Sequence, residues 1–204
     1  MRYLLLVAIL LLASSSHSFR NTESESYTDP DFLGYKPERV LLLCENISQE
    51  ARKAAEKRLI KALGKAGVVA TRYYDLFPPT RKWGEDARIK RMEEESIDSI
   101  LVVTGGASSA SVIPIATQSL SSGSVYVYGN SASYSGSATS YNVAVPKSRA
   151  EFSAVLFTRD ARVAWYADIV SKASGKLFVS DRGNGKGAAI GVIRALVRDG
   201  HIEG

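Results

Sequence analysis

The amino-acid sequence predicts an α/β fold: β-α-β-α-β, then an antiparallel hairpin and a C-terminal helix, giving one mixed sheet packed by helices. Three observations predict it. From Arg39 to Thr104, continuous apolar runs alternate with stretches whose apolar residues recur at helical spacing, the pattern of parallel strands joined by helical crossovers. Two strand-like runs, Glu151 to Thr158 and Arg162 to Val170, flank the short polar turn Arg159-Asp160-Ala161. Near the end, Ile190, Ile193, Leu196 and Val197 form an apolar stripe.

The first residues carry an export pattern. Met1 and Arg2 are a short basic start, Tyr3 to Ala13 is apolar, and Ser14-Ser15-Ser16-His17-Ser18 is small and polar, so 1–18 reads as a secretory signal peptide. The apolar run is about half of the roughly 20 residues that a membrane-crossing helix needs. Residues 19–38 are polar and acidic, with Glu23, Glu25, Asp29, Pro30 and Pro37, and are expected to be a linker. Residues 39–204 have the length expected of a single α/β domain, and the chain's 45% hydrophobic content suits a sizeable core.

Within that domain, Arg39 to Glu45 is an apolar run of the kind buried on both faces of a sheet. Ser48 is a predicted N-cap for a helix to about Lys65, with Ala51, Ala55, Leu59, Ala62, Leu63 and Ala66 on one face and Gly67 as the stop. A second strand is expected at Val68 to Tyr74. Pro78-Pro79 then breaks the chain before a charged helix from about Gly84 to Glu95, and a third strand runs from Ile97 to Thr104. Ala107 to Tyr141 is rich in serine; its alternating Val125-Tyr126-Val127-Tyr128 and the following Gly129-Asn130 suggest a hairpin or a long exposed loop. The last helix is expected from about Ala188 to Arg198, behind a flexible glycine-rich lead-in.

Chemical motifs are sparse. His17 falls in the signal, which leaves His201, expected at the surface near a frayed end, as the single histidine of the mature chain. Neither G-x-S-x-G nor S-x-x-K occurs, and one histidine with one cysteine does not build a zinc site, so no catalytic residue, metal or cofactor is expected. Cys44 sits in an apolar run and reads as a buried, inert thiol with no disulfide partner. Glu85-Asp86 and Glu93-Glu94-Glu95 lie among arginines and lysines and read as a solvated, ion-paired helix face.

Three features are candidate contacts. Gly183, Gly185, Lys186 and Gly187 precede a helix, where unpaired N–H groups favour anions, although the spacing is not that of a phosphate loop. Gly105 and Gly106 end a parallel strand, where sites of α/β folds tend to form. Tyr126, Tyr128 and Tyr134 offer large contact area to a protein partner. The net charge of +5 and the basic row Arg52, Lys53, Lys57, Arg58, Lys61 and Lys65 suit an anionic envelope component better than nucleic acid, given the export signal, and otherwise form a solvated face.

Several of these segments carry a family resemblance. The stretch Tyr74-Asp75-Leu76-Phe77-Pro78-Pro79, the charged helix after it, and Ser96-Ile97-Asp98-Ser99-Ile100-Leu101-Val102-Val103 resemble small bacterial cell-envelope lipoproteins whose α/β domain is like the TolB amino-terminal domain and the curli-secretion lipoprotein. The pair Ala154-Val155-Leu156-Phe157 and Val163-Ala164-Trp165-Tyr166-Ala167 and the closing Asp199-Gly200-His201-Ile202 are similar too. The resemblance implies a fold and an envelope setting and brings no catalytic residues. Those lipoproteins carry a cysteine directly after the signal, and Ala13-Ser14-Ser15-Ser16 has none, so the lipid anchor does not carry over. The expectation is a non-enzymatic binding or assembly protein at the periplasm or the periplasmic face of the outer membrane, with an envelope protein as partner and a homo-oligomer allowed. The alternative is a small-molecule or anion-binding protein, or an enzyme, that uses the glycine-rich segments.

Overall fold

The computed structural model describes residues 19–128, 131–175 and 179–204, with the backbone alone at 19 and 113–144. One mixed sheet holds β1 (Phe19–Thr28), β2 (Arg39–Glu45), β3 (Val69–Arg72), β4 (Ser99–Tyr128), β5 (Ser131–Thr158) and β6 (Val163–Ser174), in the order β1-β6-β5-β4-β2-β3. Strands β3, β2 and β4 run parallel, and β4, β5, β6 and β1 are antiparallel in turn. This is the expected α/β class.

Between its exposed ends, Arg39 and Glu45, strand β2 is apolar because both of its faces are covered. Val40, Leu42 and Cys44 join the main core under α1 (Gln49–Lys65), while Leu41 joins a second cluster with Leu76, Phe77 and Ile97 on the other face. Fully burying a leucine of this kind stabilises the fold by about 1.5–3 kcal/mol. Helix α1 starts where the sequence places it: the Ser48 hydroxyl accepts the Ala51 N–H at 3.3 Å, and Ala51, Ala55, Leu59 and Leu63 are buried. Gly67, at φ +82°, turns the chain into β3. The expected second strand stops early, because Tyr73–Leu76 forms a short helix, α2, whose Tyr73 packs on Phe77 with ring centroids 5.0 Å apart. The charged helix, α3 (Glu85–Glu94), contributes no buried residue.

Three expectations are corrected. Residues 19–28, expected as linker, are edge strand β1, paired with β6 from Phe19↔Ser174 to Thr28↔Trp165. Its inward positions are Thr22, Ser24, Ser26 and Thr28, and its outward ones Asn21, Glu23, Glu25 and Tyr27, so a strand of period two is built without an apolar face. The third strand does not end at Thr104 but runs on through Gly105 and Gly106 as β4 to Tyr128, and of the two readings of the serine-rich segment the hairpin holds: β4 and β5 stay in antiparallel register from Ser99↔Thr158 to Tyr128↔Ser131. The last helix, α4 (Asp181–Arg198), begins seven residues before the expected start, capped by the Ser180 hydroxyl on the Gly183 N–H at 3.0 Å.

Glycine is a poor helix former, yet here it is what lets α4 dock. A Cβ at residue 185 would lie 2.8 Å from the Ala51 Cα of α1, and one at 187 would lie 2.8 Å from the Ser171 Cβ of β6. Both helices therefore sit on one face of the sheet in direct backbone contact.

Candidate functional site

A hollow of about 220 Å³ opens at the carboxyl end of β2, beside the irregularity between Gly105 and Ser108 where β4 leaves its pairing with β2. Gly105 makes it possible: a Cβ there would meet the Asn46 backbone and the Ile47 side chain, so glycine lets the β2–α1 loop fold onto β4. Asn46 itself takes a left-handed turn at φ +52°. Ser48 and Asp181 bring the first turns of α1 and α4 to the same rim. Helix starts attract anions. Glu151 and Asp181, however, also line the hollow and set carboxylates against that attraction. Glu151 is held by Arg149 at 2.8 Å.

Gly105 and Gly106 thus reach the start of α4, through Asp181 and Asn184. The glycines expected to form an anion-binding loop do not. Gly183, Gly185 and Gly187 are buried inside α4, and Lys186 is exposed and outside the lining. The residues missed are Asn46, Asp181 and Asn184; the end of β2 and the Ser48 cap were the signals that bear on Asn46.

His201 and Cys44 serve the core. His201 is buried, not frayed at the surface: its Nδ1 lies 2.8 Å from the Tyr35 carbonyl and its Nε2 3.0 Å from the Thr28 hydroxyl. Beside it, the Trp165 indole donates to Asp199 at 2.7 Å, and Asp199 also accepts from Ser26 and from Arg198. Burial pushes the Asp199 carboxyl up, but the hydrogen bonds from Ser26, Trp165 and Arg198 outweigh it and leave it below the usual carboxylate range. Cys44 is fully buried and, with the Glu56 carboxylate adding to the effect of burial, its thiol is pushed up to about 12.

The largest departure from a compact domain is the ribbon made by β4 and β5. Strand β6 pairs with β5 as far as Lys147↔Ser174, and β2 pairs with β4 as far as Glu45↔Thr104. Beyond these, residues 112–128 and 131–146 pair with each other alone. At 3.2–3.4 Å per residue the ribbon is about 55 Å long. Tyr126 stands opposite Ser133, Tyr128 opposite Ser131 and Tyr134 opposite Val125, all toward its far end; their side chains lie outside the described residues. Between Asp98 and Lys147 the sequence has no Asp, Glu, Lys, Arg or His, in a chain of which 23% is charged.

No family model matches the chain. No curated protein matches it. Among solved structures it is similar to a PelC dodecamer from Paraburkholderia phytofirmans, at 9% identity and a TM-score of 0.44, over 88% of this chain and 97% of that one. A point variant of that PelC, also a dodecamer, gives 11% identity and a TM-score of 0.45 over 86% and 96%. A PDZ domain protein from Parabacteroides distasonis gives 10% identity and a TM-score of 0.32, over 93% of this chain and 39% of the other.

Proposed function

We propose that this chain is a non-enzymatic binding and assembly protein of the bacterial envelope, and that its assembly element is the β4–β5 ribbon, which pairs edge to edge with ribbons of further copies. The observation that carries this is the ribbon's two bare edges. A two-stranded hairpin outside a sheet is marginally stable in water, and exposed edges are ordinarily blunted by charge or proline. The ribbon has no charge, and its two prolines, Pro114 and Pro146, lie at its base, so residues 115–128 and 131–145 contain neither. Identical strands from symmetry-related copies satisfy those edges at no cost in specificity, since one surface is repeated around a ring. A non-enzymatic role is supported by the structural use of His201 and Cys44, the mature chain's one histidine and one cysteine.

One observation favours a second reading within the first. Edge pairing alone asks nothing of the two faces of the ribbon, yet neither face carries an ionisable Asp, Glu, Lys, Arg or His. Charge-free strands of this length suit a bilayer, which about 9–11 tilted strand residues cross and where a closed ring of strands leaves no edge. On this reading the protein works at the periplasmic face of the outer membrane with its ribbon in the lipid.

The test is truncation. Replacing residues 113–144 with Asn-Gly should leave the melting temperature of the body unchanged and convert an oligomer, seen by light scattering, into a monomer. A full-length chain that is monomeric at the same concentration, with and without lipid, would end the assembly proposal. Replacing Tyr126, Tyr128 and Tyr134 with serine should weaken assembly without lowering the melting temperature; unfolding would instead assign these residues to the core. Protection of the ribbon from protease by vesicles, and its absence in detergent-free buffer, would separate the bilayer reading from pairing in water.

A further inference from the structure

We infer that the groove between α1 and α4 is a docking site for an acidic, amphipathic peptide segment of a partner protein. Near their amino ends the two helices touch through Gly185 and Ala51. Further along, a hollow of about 410 Å³ opens between them, with Ala62, Ile190 and Ile193 half-buried at its floor. Its rim is Arg58, Lys61, Lys65 and Arg194, all exposed, and no carboxylate lines it.

Elsewhere on the surface some cations are paired and others, among them Lys53, Lys57, Lys82, Lys90 and Lys186, face no carboxylate among the described residues, so what sets the groove apart is four free cations gathered around one apolar floor. Arg72, Arg91, Arg149, Arg159, Arg162, Lys172 and Arg198 each face a carboxylate within 3.5 Å. Among the described residues the four at the groove have no such partner. The favourable interaction of a cation with a helix carboxyl end accounts for Lys65 in the last turn of α1, but Arg58 and Lys61 lie earlier in that helix. Four unpaired cations over an apolar floor match a ligand that is both acidic and apolar.

Shape decides between a peptide and a lipid surface. A flat bilayer meets the cationic rim and leaves the concave floor uncovered, whereas a single amphipathic segment places apolar side chains on the isoleucines and carboxylates on the rim. Position agrees. The groove lies along the carboxyl halves of α1 and α4, toward the amino ends of β2 and β4, while the ribbon leaves from the carboxyl end of β4. A partner bound here is on the far side of the body from whatever the ribbon meets, so this site is independent of the assembly proposal.

The test uses the full chain and a fluorescent synthetic peptide with leucine and glutamate at helical spacing, read by anisotropy. Saturable binding that weakens with salt is expected, with loss when the peptide's leucines become serine. The triple reversal Arg58→Glu, Lys61→Glu, Arg194→Glu should weaken binding by about tenfold or more and confer binding to the matching leucine–lysine peptide, since like charges across an interface repel. A merely structural effect of the substitutions would not reverse preference. If the triple variant fails to fold, Lys61→Gln with Arg194→Gln gives the same loss at milder cost. The ribbon truncation should bind as the full chain does. Equal binding of the serine–glutamate control, indifference to the reversals, or preference for phosphatidylglycerol vesicles over the peptide would each overturn the inference.

Discussion

Gly185→Ala and Gly64→Ala are the same chemical change with opposite expected signs. Both lie within helix α1 or α4, where replacing glycine by alanine gains about 1 kcal/mol of helix propensity. At Gly64 a Cβ meets nothing within 4 Å, so the gain stands alone. At Gly185 the Cβ would fall 2.8 Å from the Ala51 Cα and 2.7 Å from its carbonyl carbon. Carbon atoms in contact sit about 3.5–4.0 Å apart, so α4 must move off α1 by roughly 1 Å, against backbone that has no rotamer to change. Overpacking of this kind costs about 1–3 kcal/mol, and rigid backbone places it at the upper end; with the propensity gain subtracted, the net loss is about 2 kcal/mol. A chain of this size shifts its melting temperature by about 2–4 °C per kcal/mol. Differential scanning calorimetry should therefore show Gly185→Ala lower by about 4–8 °C and Gly64→Ala higher by about 2–4 °C. A Gly185→Ala protein as stable as the parent would refute the direct contact of α4 with α1.

Other outcomes rest on the buried polar groups. Asp199→Asn should cost about 1–3 kcal/mol at neutral pH in urea unfolding, because the donors Trp165, Ser26 and Arg198 lose a charged acceptor. The folded carboxyl titrates below its ordinary 3.8, so its contribution is complete above that pH and is lost as the pH falls through the depressed value. The gap between parent and variant should accordingly narrow below about pH 4, and a gap constant down to pH 2 would contradict the assignment. His201→Ala should cost about 1–3 kcal/mol by leaving the Tyr35 carbonyl and the Thr28 hydroxyl without their partner. A change within about 0.5 kcal/mol, the usual range of surface substitutions, would mean that the C-terminus frays after all. Cys44 should react with a thiol reagent at pH 8 only as fast as the protein unfolds; prompt labelling of the native chain would show that β2 is open on one face.

The parts of the fold legible in the sequence are those whose signals are local. Strand β2 shows as an unbroken apolar run, and α1 shows a cap, a stripe and a stop within one stretch. The β5–β6 hairpin is legible in the same way around Arg159 to Arg162. Strand β1 is not, because its inward residues are hydroxyls and an edge strand under a helix needs no apolar face. The first half of α4 is hidden for a different reason: the fit of Gly185 to Ala51 is decided by residues far apart in the chain, and local propensity opposes it. The burial of His201 is equally illegible, because its partners, Tyr35 and Thr28, are 166 and 173 residues away. Of the hollow, Gly105 and Gly106 are visible as the glycines that close the parallel part of β4, although the strand itself runs on past them, whereas Asp181 and Asn184 enter through the same docking of α4. For the ribbon a hairpin is legible in the alternation of Val125 to Tyr128, and the length over which β4 and β5 stay paired is not.

The edge strand has a mechanical consequence. Phe19 and Lys147 both pair with Ser174, so β1 starts at the end of the sheet from which the ribbon leaves, and its ten residues then run away from that end along β6. Hydrogen bonds between antiparallel strands are perpendicular to the strand axis. Tension on the chain at residue 19, directed toward the ribbon end while the body is held back, loads those bonds across their length all together and does not open them one at a time. The attachment behaves as a lap joint rather than a zipper: a pull on the N-terminal side must shear the whole of β1 from β6 before Thr28 and the core beneath Trp165 are disturbed.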